Sequence, residues 1–216
     1  MQGDEGATQA PVMEHTMRAF SVGLAVVSFV ALGLASNAHA APIVFSTTLS
    51  GPNESPPNAS PGTGTALVTF DPIANTMRVE TTFSGLLGTT TASHIHCCTT
   101  VPLTGAAGVA TTTPTFAGFP LGVTSGTYDN TLDMTLASSY NPAFVTANGG
   151  TTATAESALF DAMLLGKTYL NIHSSVFGGG EIRGFLLPVP EPVTLSLFGA
   201  GLAGMVAMRR KKAKQA

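Results

Sequence analysis

Residues 64–84 read Gly64-Thr65-Ala66-Leu67-Val68-Thr69-Phe70-Asp71-Pro72-Ile73-Ala74-Asn75-Thr76-Met77-Arg78-Val79-Glu80-Thr81-Thr82-Phe83-Ser84. Successive side chains of an extended chain point to opposite faces. Met77, Val79, Thr81 and Phe83 therefore share one face, and Arg78, Glu80 and Thr82 the other. Asp71-Pro72 opens and Asn75 closes a short run of turn-forming residues. The pattern predicts an antiparallel hairpin, Gly64 to Phe70 and Thr76 to Ser84, with one buried face.

The same period of two recurs on both sides of this hairpin. Ile43 to Leu49 predicts a first strand, closed by Ser50-Gly51-Pro52. Ser93 to Cys98 and Gly126 to Leu136 predict two more, the latter with a turn at Asp129-Asn130. A last hairpin runs from Lys167 to His173, turns at Gly178-Gly179-Gly180 and returns from Glu181 to Leu187. The Thr-, Pro- and Gly-rich segment from Val101 to Val123 reads as loop. One stretch breaks the period. From Ala155 to Leu165, Ala155, Ala158, Leu159, Ala162, Met163 and Leu165 recur at helical spacing, with Thr154 as N-cap, Glu156 in the first turn and Gly166 as stop. Many short strands and one short helix predict an all-β fold, an antiparallel β-sandwich.

The two ends of the chain read as targeting segments. Arg18 precedes an apolar block from Ala19 to Leu34, and Ala38-His39-Ala40 follows it. A basic residue, an apolar core and small residues at the cut site make residues 1–40 a leader and secretory signal helix, cleaved between Ala40 and Ala41. Met13 or Met17 is an alternative start. At the other end Pro190-Glu191-Pro192 leads into sixteen uncharged residues, Val193 to Met208, and then Arg209-Arg210-Lys211-Lys212. The apolar run is slightly shorter than a comfortable bilayer span, and the basic cluster would hold its end on the cytoplasmic side. In this order, residues 189–216 resemble a PEP-CTERM sorting signal. The resemblance implies recognition at Pro190, Glu191 and Pro192 by an exosortase-type enzyme. It also implies a transient membrane anchor and a destination in the cell envelope, at the outer surface or in an exopolysaccharide matrix.

Residues 41–188 remain as one exported domain, long enough to bury about 70% of its unfolded surface. They hold eight acids and three bases, a net charge near −5. Nucleic acid is thereby disfavoured as a partner, because it demands clustered Lys and Arg. Gly-x-Ser-x-Gly, P-loop, His-Glu-x-x-His and dinucleotide-binding glycine signatures are all missing from the sequence.

Several stretches of this domain are similar, in order, to the CHRD module. They are Leu49-Ser50-Gly51-Pro52-Asn53-Glu54-Ser55-Pro56-Pro57, Phe83-Ser84-Gly85-Leu86, His94-Ile95-His96, the helix, Tyr169-Leu170-Asn171-Ile172-His173-Ser174 and Gly179-Gly180-Glu181-Ile182-Arg183-Gly184. Ser55 departs from the pattern, which has an apolar residue there. The resemblance implies an immunoglobulin-like β-sandwich of a secreted protein and carries no defined activity, so a non-catalytic envelope protein is expected.

The candidate chemistry gathers around Ser93-His94-Ile95-His96-Cys97-Cys98. On a strand His94 and His96 face the same way, a common means of offering two imidazoles to one metal. His173 shares a face with Tyr169 and Asn171. A hairpin turning near Phe177 would set His173 opposite Glu181 and Asn171 opposite Arg183, where Glu181 could orient the His173 ring. One copper or zinc ion on His94, His96 and His173 is one reading. Its enzymatic form is a mononuclear centre with superoxide-dismutase-like chemistry. The alternative is a purely structural polar cluster, in which Glu181 and Arg183 make cross-strand pairs. Three histidines are too few for the two-metal site of copper-zinc superoxide dismutase. Cys97 and Cys98 have no other cysteine to pair with. A vicinal disulfide, an intermolecular bridge, a share in a metal site and buried thiols all remain open.

Overall fold

A computed structural model describes residues 42–190 together with Leu197 and Gly201. Eight strands occur among these residues: β1 (Ile43–Ser50), β2 (Thr63–Asp71), β3 (Thr76–Ser84), β4 (Thr90–His96), β5 (Gly126–Asp133), β6 (Tyr169–Ser174), β7 (Ile182–Phe185) and β8 (Leu187–Pro188). They form one curled antiparallel sheet in the order β4-β6-β7-β1-β2-β3-β5, with β8 also on β1. Phe45, Val68, Phe70 and Val79 from one half meet Ile95, Leu170, Ile172 and Ile182 from the other in a single core. The fold is all-β, with the expected two-layer packing made by curling one sheet.

The hairpin of β2 and β3 forms as its alternation requires. Phe70 pairs with Met77, and Val68 with Val79. Asp71 Oδ1 accepts hydrogen bonds from the Ile73 and Ala74 amides, both at 2.9 Å. Asn75 takes the left-handed conformation that closes the turn. In contrast, the turn expected at Asp129-Asn130 does not exist. Both residues lie within β5, opposite Glu80 and Val79. Arg78 grips the Asp129 carboxylate through Nε (2.8 Å) and Nη2 (2.6 Å), so these polar residues are cross-strand partners on the outer face.

Within residues 42–190 two α-helices form where one was expected. α1 (Pro142–Ala147) starts with Pro at N1 and an Asn141 side chain accepting from the Ala143 amide. α2 (Thr152–Leu164) begins three residues earlier than its apolar spacing suggests. Thr151, not Thr154, is the N-cap, and the two threonines make a reciprocal capping box. Gly166 (φ +65°) ends α2, with its amide on Met163 and the Lys167 amide on Ala162, the Schellman arrangement.

The segment after β4 carries little regular structure but covers the sheet's edge. The Ala110 amide donates to the Ile95 carbonyl and the Phe116 amide to the Ser93 carbonyl, while Thr90 bonds Gly122 and Val123. At the other joint, β7 meets β1 at Ser50 and Arg183. Gly184 makes this approach possible, because a Cβ there would collide with Thr47 Oγ1 and the Thr48 carbonyl. Gly184→Ala is expected to lower stability by about 2 kcal/mol or more. An unchanged urea midpoint in that variant would show that the joint can yield.

Among the described residues no helix is long and apolar enough to cross a membrane. The signal helix, the Ala40–Ala41 cut, Glu191, Pro192 and the membrane helix from Val193 lie outside the described residues. Pro190 lies within them and is exposed.

Candidate metal centre

β4 and β6 pair so that His94 faces Asn171 and His96 faces Tyr169. Ile95, Leu170 and Ile172 enter the core, so alternation sends the histidines to the opposite side of the sheet. That face would be wet if it were bare. Here loops cover it, leaving His94 6%, His96 9% and His173 9% exposed.

Each covering loop contributes one backbone carbonyl. The Nδ1 atom of His94 lies 3.1 Å from the Pro114 oxygen, that of His96 2.8 Å from Ala107, and that of His173 2.9 Å from Gly178. A carbonyl can only accept, so each Nδ1 carries the hydrogen and each neutral ring keeps a bare lone pair on Nε2. The three Nε2 lone pairs face one another. His94 Nε2 and His173 Nε2 are 2.9 Å apart, and His96 Nε2 is buried without a partner. The three ligand atoms lie within 4.8 Å of one another.

Two lone pairs at 2.9 Å repel unless a cation lies between them. Burial pushes His94 down to about 3, with the neighbouring His96 and His173 adding to the effect. Burial also takes His96 to about 4 and lowers His173. A proton is therefore a poor occupant near neutrality. The donor set of three neutral imidazoles, each oriented through Nδ1, suits zinc or copper. Metal–nitrogen bonds of about 2.1 Å need ligand spacings below about 4.2 Å. The most widely spaced ligand atoms, up to 4.8 Å apart, must therefore close by about 0.6 Å or more, and the His96 and His173 rings are the widest apart, with centroids at 5.9 Å.

A model of the CHRD domain matches residues 45–186, and a model of the PEP-CTERM protein-sorting motif matches residues 188–211. The chain belongs to the CHRD family. The tail motif implies export to the cell envelope or outer surface. No curated protein and no solved structure matches the chain.

Other polar residues of this CHRD domain's site have different work from that expected of them. Asn171 does lie opposite Arg183, and the register ends one pair further on, at Ile172 and Ile182. Yet Glu181 does not orient His173. Its Oε1 accepts from Ser60 Oγ (2.6 Å) and the Leu87 amide (2.5 Å), and its Oε2 from the Gly88 amide (3.2 Å). Burial alone would push this carboxyl up, but hydrogen bonds from Ser174, Ser60, Leu87 and Gly88 outweigh it and hold Glu181 below its ordinary value. A backbone carbonyl at Gly178 does the orienting instead, made available by the glycine turn.

Arg183 is likewise no simple cross-strand partner. Its guanidinium lies 4.5 Å from the Tyr169 ring centroid, and His96 stacks on the same ring at 4.6 Å and 8°. Tyr169 also accepts from the Ala107 amide, the residue whose carbonyl holds His96. The sequence signals for Tyr169 are that it alternates in phase with Asn171 and His173 and opens a stretch similar to the CHRD module. The Ala107, Pro114 and Gly178 carbonyls have no sequence signal at all.

β4 stops at His96, and Cys97 and Cys98 are joined to each other by a disulfide, with Cys97 buried and Cys98 exposed. Among the described residues neither sulfur joins the histidine cluster. The Cys97 amide donates to the Gly108 carbonyl, which returns the chain so that Ala107 lies over His96.

Glu54 borders this region, 3.7 Å from Arg183 Nε. Burial raises it from 4.5 to about 7 despite the opposing Arg183 charge. The folded protein thus holds this proton more tightly than the unfolded chain. Its contribution to stability is most favourable below pH 4.5 and is lost as pH rises through about 7. The buried histidines act in the opposite sense, since their lowered values favour the fold as pH rises. Comparison with Glu54→Gln isolates the carboxyl. From pH 5 to pH 8 the wild type should lose on the order of 2 kcal/mol relative to that variant, allowing for solvent screening. Parallel urea-melt profiles for the two proteins would contradict this.

Proposed function

We propose that this protein is an exported, non-catalytic CHRD-domain protein of the cell envelope or its exopolysaccharide matrix, and that it holds one zinc or copper ion on His94, His96 and His173. The observation that carries the metal assignment is the convergence of three buried Nε2 lone pairs, each ring held through Nδ1 by a loop carbonyl. The test is elemental analysis of the purified exported domain after dialysis against each metal. One equivalent per chain is expected. Protein that retains neither zinc nor copper would overturn the assignment.

The sorting step rests on the tail motif. An exosortase-type enzyme is the processing partner, acting at Pro190, Glu191 and Pro192 after the apolar tail has paused in the membrane. Changing Glu191 to Ala should leave the tail attached and the protein membrane-bound. Unaltered processing in that variant would remove this part of the reading.

A second reading is a mononuclear metalloenzyme with superoxide-dismutase-like chemistry. Three protein ligands leave a coordination position open, as catalytic zinc sites do. Superoxide consumption by the copper-loaded domain above that of its His94→Ala variant would favour the enzyme. Bound metal with no such difference would favour the non-catalytic role.

A further inference from the structure

A cavity of about 450 Å³ lies between the segment from Asn53 to Pro57 and the loop at Leu103, Thr104 and Gly105, with Arg183 and Phe185 in its wall. Arg183 is 4% exposed. Among the described residues the only hydrogen bond of its guanidinium runs from Nε to the Asn53 carbonyl, so its two Nη groups bond no protein acceptor. Tyr169 supports the guanidinium from beneath. Burying a cation is costly unless it is paired and its N–H groups are satisfied. Glu54 does this incompletely, since it approaches only Nε, at 3.7 Å, and its Oε1 is buried with no partner.

We infer that this cavity is a second ligand site, which takes a small hydroxylated carboxylate through Arg183 and Glu54. The guanidinium fork matches a carboxylate, which can accept two parallel hydrogen bonds and complete the charge balance. Glu54, Ser55 and Thr104 line the cavity with groups that suit hydroxyls, while Phe185 and Leu103 offer apolar surface to the carbon skeleton. Burial holds Glu54 partly protonated near neutrality, which weakens its repulsion of an incoming anion. The imidazoles do not line this cavity, so occupancy here does not depend on the proposed metal.

The test is isothermal titration of the exported domain with sodium glucuronate, glucose and cyclohexanecarboxylate. Glucuronate should saturate one site, glucose should show no saturation, and cyclohexanecarboxylate should bind at least about fivefold more weakly. Arg183→Gln should weaken glucuronate about tenfold or more, the scale of one charge-assisted hydrogen bond. Thr104→Trp, on an exposed loop, fills the cavity while leaving Arg183 unsubstituted, and keeps the test decisive if the arginine variant fails to fold. It should abolish glucuronate binding and leave metal content unchanged. The inference is overturned if glucuronate shows no saturable heat, if glucose or cyclohexanecarboxylate binds as well as glucuronate, or if Thr104→Trp still binds it.

Discussion

His94→Ala or His173→Ala is expected to abolish uptake of the proposed metal and, with it, the extra thermal stability of the metal-loaded protein. Loss of either imidazole leaves two ligands, and a two-imidazole site competes poorly with water. A metal that binds only the folded chain stabilises it by about 4 kcal/mol when present at a thousand times its dissociation constant. For a domain of this size that corresponds to a melting-temperature difference of about 8–16 °C. The variants should therefore melt far below the loaded wild type but much nearer to the chelator-treated one. The reason is the 2.9 Å contact between His94 Nε2 and His173 Nε2. Without a cation it is a repulsion, so the metal-free wild type gains nothing from it. Differential scanning fluorimetry with and without chelator decides the matter. If chelator leaves the wild-type melt unmoved, the three histidines are a structural cluster and not a metal centre.

Glu181→Ala is expected to cost about 3–5 kcal/mol, the largest loss from any single polar side chain in the domain. Glu181 is fully buried and gathers Ser60 Oγ and the Leu87 and Gly88 amides onto one carboxylate. Truncation leaves these donors in a dry site, each costing about 1–3 kcal/mol. Glu181→Gln keeps an acceptor and the volume, so it should lose about half as much. Urea melts of the three proteins measure this directly. A loss under about 1 kcal/mol in the alanine variant would mean that water replaces the carboxylate and that the hub is dispensable. Metal uptake should survive in Glu181→Gln, because the His173 ring takes its orientation from Gly178.

The hairpin of β2 and β3 could be read from the chain because its information is local. Alternation sets the faces, and Asp71 and Asn75 set the turn within a few residues. The pairing of Asn171 with Arg183 was legible for the same reason, since both strands flank one glycine turn. Asp129-Asn130 misled because the same residue types form turns and make outer-face pairs. Only Arg78 on the neighbouring strand shows which applies. The start of α2 was misplaced because apolar spacing reports the buried face, whereas the cap is set by side chains that face water.

The sequence by itself determined the all-β class, the strand faces, the family resemblance and the shared side of His94 and His96. Those properties follow from periods of two and from motifs in order. Tertiary structure decided that three imidazoles converge, that carbonyls of Ala107, Pro114 and Gly178 hold them, and that Glu181 serves Ser60, Leu87 and Gly88, 93 to 121 residues distant. A backbone carbonyl is the same at every residue, so nothing in the sequence marks which one will accept a hydrogen bond. Only the path of the covering loops selects it.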